Sequence, residues 1–65
     1  SDDPVYIAHV LGDIAKSYGM TKLAQETGLT REGLYKSFGK QGNPSFVTVS
    51  KVANALGLKL SFQHL

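Results

Sequence analysis

The sequence predicts a mainly α fold class: one domain of four short helices followed by a short C-terminal β-strand. Apolar residues recur at helical spacing over residues 7–18 and again over residues 46–56. Between these two stretches, small residues and glycines divide the chain into shorter elements. From Leu58 the apolar period changes to two, which is typical of a strand.

Length, composition and charge limit the possible functions. The chain has 65 residues, enough for one domain, and contains no cysteine, so neither a disulfide framework nor a thiolate metal site is expected. No apolar run approaches the ~20 residues of a membrane span and no secretory leader is visible, so we expect a cytoplasmic protein without a membrane partner. The net charge is only +2, but seven basic and two acidic residues follow Asp13. This bias favours a phosphate backbone as partner, although Lys-rich surfaces are also common on ordinary small domains.

The first helix is expected to begin at Pro4, with Asp3 as its cap, and to end at Gly19. Gly12 weakens this helix by ~1 kcal/mol relative to Ala unless another part of the backbone approaches closely there. The apolar stripe that we expect to be buried consists of Ile7, Val10, Leu11, Ile14, Ala15 and Tyr18.

Residues 20–38 have the spacing of a helix-turn-helix. Two helices that meet steeply need a small residue at their contact and a permissive residue at the corner, and Ala24 and Gly28 occupy these places. Thr30 is placed to cap the second of the two helices. The apolar residues that hold them together are Leu23, Leu29, Leu34 and Phe38. The alternative is a plain helical hairpin in a small bundle.

In a helix-turn-helix, the second helix lies in the major groove, so its outward residues are the expected base readers. Arg31 can donate bidentately to guanine, and Tyr35 can lie against a thymine methyl or donate to a phosphate. Glu32 either orients Arg31 and excludes wrong sequences or only stabilises the helix N-terminus. The alternative to a DNA contact for Tyr35 is a position in the core or at a dimer contact. The predicted base readers are Arg31, Glu32, Tyr35 and Lys36.

Residues 39–44 are expected to form a loop because two glycines and an Asn-Pro pair disfavour any regular element. Lys40 and Gln41 lie there, directly after the reading helix, where they can grip a DNA strand without reading its sequence. Ser45 is expected to cap a fourth helix that Gly57 terminates. Its predicted buried stripe is Phe46, Val49, Val52, Ala53 and Leu56.

The predicted strand covers about residues 58–64 and has no partner strand in its own chain. An unpaired strand edge is a template for another strand, so we expect a homodimer in which two copies pair here. The residues expected at this dimer contact are Leu58, Leu60 and Phe62.

Several segments together resemble the addiction-module antidote proteins, which are compact, λ-repressor-like, HigA-like antitoxins of type II toxin–antitoxin operons. They are Leu11-Gly12-Asp13-Ile14-Ala15, Gly19-Met20-Thr21-Lys22-Leu23-Ala24, Thr27-Gly28-Leu29-Thr30-Arg31-Glu32-Gly33-Leu34-Tyr35-Lys36, Gly42-Asn43-Pro44 and Ala55-Leu56-Gly57-Leu58-Lys59-Leu60. The match covers nearly the whole chain from about Pro4.

This resemblance implies a dimeric, sequence-specific DNA-binding antitoxin that represses its own operon and neutralises a RelE/ParE-like toxin. It implies the base-reading set named above and contacts to the DNA backbone from Thr21, Lys22, Thr30, Lys40 and Asn43. Family members usually carry a longer segment upstream of the first helix, so we expect this chain to lack an upstream segment. Thr27 stands where related proteins often have an apolar residue, which is expected to loosen the corner.

Catalysis is not expected. His9 and His64 lie on different predicted elements, and no paired carboxylate or Gly-rich phosphate loop accompanies them, so we expect no metal and no cofactor. Two alternatives to an antitoxin stay open at this point. One is a phage-type or other small repressor without a toxin, and the other is a protein-interaction module in which the helix-turn-helix is only a scaffold.

Overall fold

A computed structural model describes residues 4–59 and 61, with side chains from Tyr6 onward. It contains four helices, and the second of them lies at the centre of the packing. The helices are α1 (Pro4–Tyr18), α2 (Met20–Thr27), α3 (Arg31–Ser37) and α4 (Phe46–Ala55). Helix α2 packs against each of the other three, and α1 also packs against α4. The four predicted helices are therefore confirmed. The main core cluster consists of Leu11, Ala15, Met20, Leu23, Leu34, Phe38 and Val52.

The corner between α2 and α3 is closed by local hydrogen bonds. Gly28 is left-handed, with φ 75° and ψ 10°, and its N–H donates to the Ala24 carbonyl over 3.0 Å. A residue without Cβ takes this conformation without strain, as the sequence indicates. The Thr27 hydroxyl donates to the Leu23 carbonyl at 2.8 Å and accepts from the Leu29 N–H at 3.3 Å. The expectation that Thr27 loosens the corner is therefore wrong, because its hydroxyl ties the two sides together.

Half of the predicted α1 stripe is not buried. Ile7, Val10 and Ile14 are 48%, 39% and 40% exposed, whereas Leu11 and Ala15 face the core. Helix α1 packs against α2 and α4 but not against α3, and the arc that these two helices cover is narrower than its apolar arc.

Two further predictions concern single residues, one at the start of α4 and one inside α1. Phe46, predicted to be buried, is 66% exposed, because the core cluster does not extend to the first turn of α4. A Cβ added to Gly12 would lie 3.2 Å from the Phe38 Cβ. Phe38 therefore packs closely against α1 at the position where this helix has a glycine.

Helix α4 begins and ends with specific caps. The Ser45 side chain accepts from the Thr48 N–H, as expected for a helix start. At the other end the Gly57 N–H donates to Asn54 over 3.1 Å and the Leu58 N–H donates to the Ala53 carbonyl over 2.8 Å, the two bonds of a Schellman motif.

This cap changes the prediction for the C-terminal strand. The Leu58 N–H is already used by α4, so a strand does not begin at Leu58, and none of residues 4–59 or residue 61 forms one. The other two predicted dimer residues, Leu60 and Phe62, lie outside the described residues.

Candidate nucleic-acid interface

One side of α3 holds it to the core and the other faces outward. Leu34 is 1% exposed and Phe38, one turn later, is 7% exposed, so both lie on the inner side. All four predicted base readers are exposed. We call this outward surface the α3 face, and it consists of Arg31, Glu32, Tyr35 and Lys36.

The first turn of α3 is fixed by its cap. The Thr30 backbone is extended, and its hydroxyl accepts a hydrogen bond from the Gly33 N–H at 3.0 Å. Such a cap satisfies one of the free N–H groups at a helix start and holds the first turn in place. Because Arg31 and Glu32 belong to this turn, the cap also fixes where their side chains leave the backbone.

Arg31 and Tyr35 contact each other along the α3 face. The Arg31 Cζ lies 5.1 Å from the centre of the Tyr35 ring, within cation–π range. The two residues are four apart, which places them one above the other on a helix. Tyr35 is 42% exposed, so the ring has one side on the arginine and much of its surface open to solvent.

The loop after α3 folds back over the end of the helix. The Gly39 N–H donates to the Lys36 carbonyl over 3.3 Å, and the Gly42 N–H donates to the Gly39 carbonyl over 2.9 Å. A Cβ on Gly42 would overlap the carbonyl oxygens of Lys36 and Ser37. Only glycine permits this close approach, so the loop sits beside the α3 face because of Gly42.

The loop and α3 together line an open groove of about 440 Å³. It joins two predicted base readers, Tyr35 and Lys36, with Asn43, a predicted backbone contact. Ser37 also lines it and was not singled out from the sequence, because a serine at a helix end gives no signal of its own. The complete lining is Tyr35, Lys36, Ser37, Gly39, Gln41, Gly42 and Asn43.

The other predicted backbone contacts, namely Thr21, Lys22, Thr30 and Lys40, are exposed but do not line this groove. The ammonium of Lys22 lies 4.6 Å from the centre of the Tyr18 ring, where α1 meets α2. The Tyr18 hydroxyl donates to the Glu26 carboxylate, and this hydrogen bond, followed by desolvation and the carboxylate charge, raises the pKa of Tyr18. The Tyr18–Glu26 contact was missed from the sequence because it joins two helices.

Other features of the described residues bear on function only in a general way. No described helix has the length and apolar character needed to cross a membrane. Residues 4–59 and 61 contain no group of three or more His, Cys, Asp or Glu side chains arranged to hold a metal ion. Leu58, the one predicted dimer residue that is described, is 43% exposed.

Comparison with known proteins identifies the family. A family model described as "probable addiction module antidote protein" matches residues 1–64. The chain belongs to this family. The resemblance to antidote proteins is therefore confirmed, while the HigA-like subtype stays a prediction.

A relative of the chain comes from Haemophilus influenzae and carries the name "Uncharacterized protein". It is 45% identical over 63 residues, which are 97% of this chain and 65% of the relative. The antidote-family chain thus spans about 65% of the length of this relative. No solved structure matches the chain significantly.

Proposed function

We propose that this chain is a sequence-specific DNA-binding antitoxin domain that represses its own toxin–antitoxin operon. The observation that carries the proposal is the α3 face. Four polar or aromatic side chains project outward from a capped helix that Leu34 and Phe38 hold to the core. The chain also belongs to an antidote family, which supports a binding role rather than a catalytic one.

The dimensions of α3 suit a major groove. An α-helix with its side chains is about 10–12 Å across, and the major groove of B-DNA is about 12 Å wide, so the outward side of α3 can enter it. In this proposal Arg31 donates to guanine, Tyr35 contacts a neighbouring base and Lys36 reaches a base edge or phosphate. Glu32 disfavours wrong sequences, because a misplaced carboxylate meets base acceptors and phosphates.

Contacts to the DNA backbone are proposed for residues on both sides of α3. Lys40 and Asn43 belong to the loop that Gly42 holds against the helix, so they flank the α3 face on one side. On the other side we propose contacts from the N-terminal part of α2 and from the α3 cap. These contacts set the register of α3 without reading sequence. The residues involved there are Thr21, Lys22 and Thr30.

We further propose that the whole protein neutralises a RelE/ParE-like toxin, as membership of an antidote family supports. A specific feature also favours a protein partner: Tyr6, Ile7, Val10 and Ile14 form an exposed apolar surface on α1. The same surface is what the second candidate function, a protein-interaction module, would use. A phage-type repressor without a toxin is distinguished from an antitoxin by the gene beside this one, which would not encode a toxin.

A homodimer is the form in which we propose that the chain binds DNA. Two copies would place two α3 helices on one operator with inverted-repeat symmetry. We propose that the C-terminal segment containing Leu58, Leu60 and Phe62 makes the contact. Light scattering over a range of concentrations measures the mass, and a Leu58→Asp variant is expected to shift it to the monomer.

The DNA-binding proposal is tested by measuring, at several salt concentrations, how tightly the chain binds duplexes from the promoter of the operon and scrambled duplexes. If Lys22 and Lys40 each neutralise one phosphate, the slope of log K against log salt is about −2 per subunit. Arg31→Ala should remove discrimination worth about 1–3 kcal/mol per contact. Lys51→Ala on α4 is the matched control, because it also removes one exposed positive charge. Equal losses in the two variants, or no preference for the promoter, would contradict the proposal.

A further inference from the structure

We infer that Arg31 and Tyr35 act as one reading unit that recognises a thymine beside a guanine. This inference rests on the proposed DNA-binding function and names part of the sequence that the α3 face selects. It starts from the stack between the two side chains, in which the Arg31 Cζ lies 5.1 Å from the centre of the Tyr35 ring.

The stack positions the arginine before DNA arrives. A cation–π contact at an exposed site favours the stacked arrangement about two- to fivefold over other rotamers. A guanidinium that lies over an aromatic ring through its flat face keeps the N–H donors along its edge free. Those edge donors are the ones that bind guanine O6 and N7 in pairs. Arg31 can therefore contact a guanine while it remains stacked on Tyr35.

The position of the ring relative to the guanidinium indicates which base it meets. Successive base pairs are about 3.4 Å apart along the duplex axis. The Tyr35 ring centre lies 5.1 Å from the guanidinium carbon, which is more than one base-pair step, so the ring can reach the base pair next to the guanine. On the major-groove side of that pair, the apolar group available to an aromatic ring is the C5 methyl of thymine. Cytosine presents an amino group instead, and adenine presents an acceptor and an amino group.

The surroundings of Tyr35 agree with this use. Tyr35 is 42% exposed and borders the groove shared with the loop after α3, so a large part of its side chain is accessible to solvent. Its hydroxyl makes no hydrogen bond to a described residue, whereas the Tyr18 hydroxyl is bound to Glu26. Tyr35 is therefore open to an external contact on the same surface as Arg31.

The test begins with duplexes selected by the 65-residue chain from a random pool. In the selected sequence, each guanine is replaced in turn by 7-deazaguanine, which removes the N7 acceptor. The guanine read by Arg31 is the one whose replacement weakens binding of the wild type but not of Arg31→Ala. The adjacent thymine is then replaced by uracil, which removes only the methyl group.

We expect the loss of this methyl to weaken binding of the wild type about fourfold, the value for one buried methyl-sized group. Tyr35→Phe should keep this sensitivity because it keeps the ring. Tyr35→Ala should bind the thymine and uracil duplexes equally. Tyr6→Ala is the matched control, because it removes an exposed tyrosine from α1 and should keep the full sensitivity.

Two failures are distinguishable. If the chain selects no sequence at all, the proposed function fails and takes the inference with it. If it selects a sequence and reads a guanine through Arg31, the function stands, and the inference alone is overturned by either of two results. One is a base other than thymine beside that guanine, and the other is equal sensitivity to uracil in wild type and Tyr35→Ala. The second result would show that Tyr35 does not contact the thymine methyl.

Discussion

Removing the cap of α3 separates the stability of the domain from the alignment of its proposed reading residues. The Thr30 hydroxyl accepts from the Gly33 N–H at 3.0 Å, and Thr30→Ala deletes that acceptor. Loss of an N-cap typically costs about 1 kcal/mol, within a range of 0.5–2. In a domain of this size, about 1 kcal/mol lowers the melting temperature by about 4–8 °C. The first turn of α3, which carries Arg31, loses its fixed position at the same time.

Ser45→Ala provides a matched control, because the Ser45 hydroxyl caps α4 in the same way, at 3.1 Å from the Thr48 nitrogen. Both variants should lose similar unfolding free energy in a urea titration. Only Thr30→Ala should weaken operator binding, by about fivefold if the lost cap energy is transmitted to the bound helix, and by more because the proposed contact of Thr30 to the DNA backbone is lost with it. Thr30→Ser should restore both properties. If the two alanine variants lose the same DNA affinity, or neither does, α3 does not present the reading residues.

Three further predictions address packing, the loop and pH. Leu23→Ala, at a fully buried site in α2, should lower the free energy of unfolding in a urea titration by about 2–5 kcal/mol. Ile14→Ala, on the exposed side of α1, should lower it far less, and equal losses would contradict the packing of α1. Gly42→Ala should destabilise the domain by about 1–3 kcal/mol, because its Cβ overlaps α3 carbonyls, and nuclear magnetic resonance should show the change centred on residues 36–43. The pKa of Tyr18 is raised above its ordinary value of 10.0 by the hydrogen bond to Glu26, so its stabilising contribution is complete below pH 10.0 and is lost as pH rises through the raised pKa. The urea midpoint of wild type should therefore fall more steeply than that of Tyr18→Phe above that pH, and parallel curves would refute the contact.

The parts of the fold that sequence analysis predicts correctly depend on neighbouring residues. A hydroxyl three residues before a helical N–H identifies a cap, as at Thr30 and Ser45, and both caps are present. A glycine after an apolar turn identifies a left-handed helix end, as at Gly28. The outward direction of Arg31 and Tyr35 also follows from local spacing, once Leu34 is assigned to the core.

The parts that could not be predicted depend on which elements meet in space. The period of α1 shows its apolar arc but not how many helices cover it, so Ile14 and Val10 were assigned to the core and are exposed. The Tyr18–Glu26 contact and the groove beside α3 form only when separate segments fold together. Leu58 alternates with its neighbours like a strand residue, yet its N–H completes the end of α4.

The measurement that tests the DNA-reading role of α3 most directly is a nuclear magnetic resonance titration of the ¹⁵N-labelled chain with its promoter duplex. We expect the largest amide shifts over residues 30–36 and 40–43, with small shifts on the exposed side of α1. A random duplex at the same concentration should shift the loop amides but leave those of Arg31 and Tyr35 nearly unchanged. Largest shifts over residues 6–14, with α3 unaffected by either duplex, would contradict a DNA-reading role for this helix.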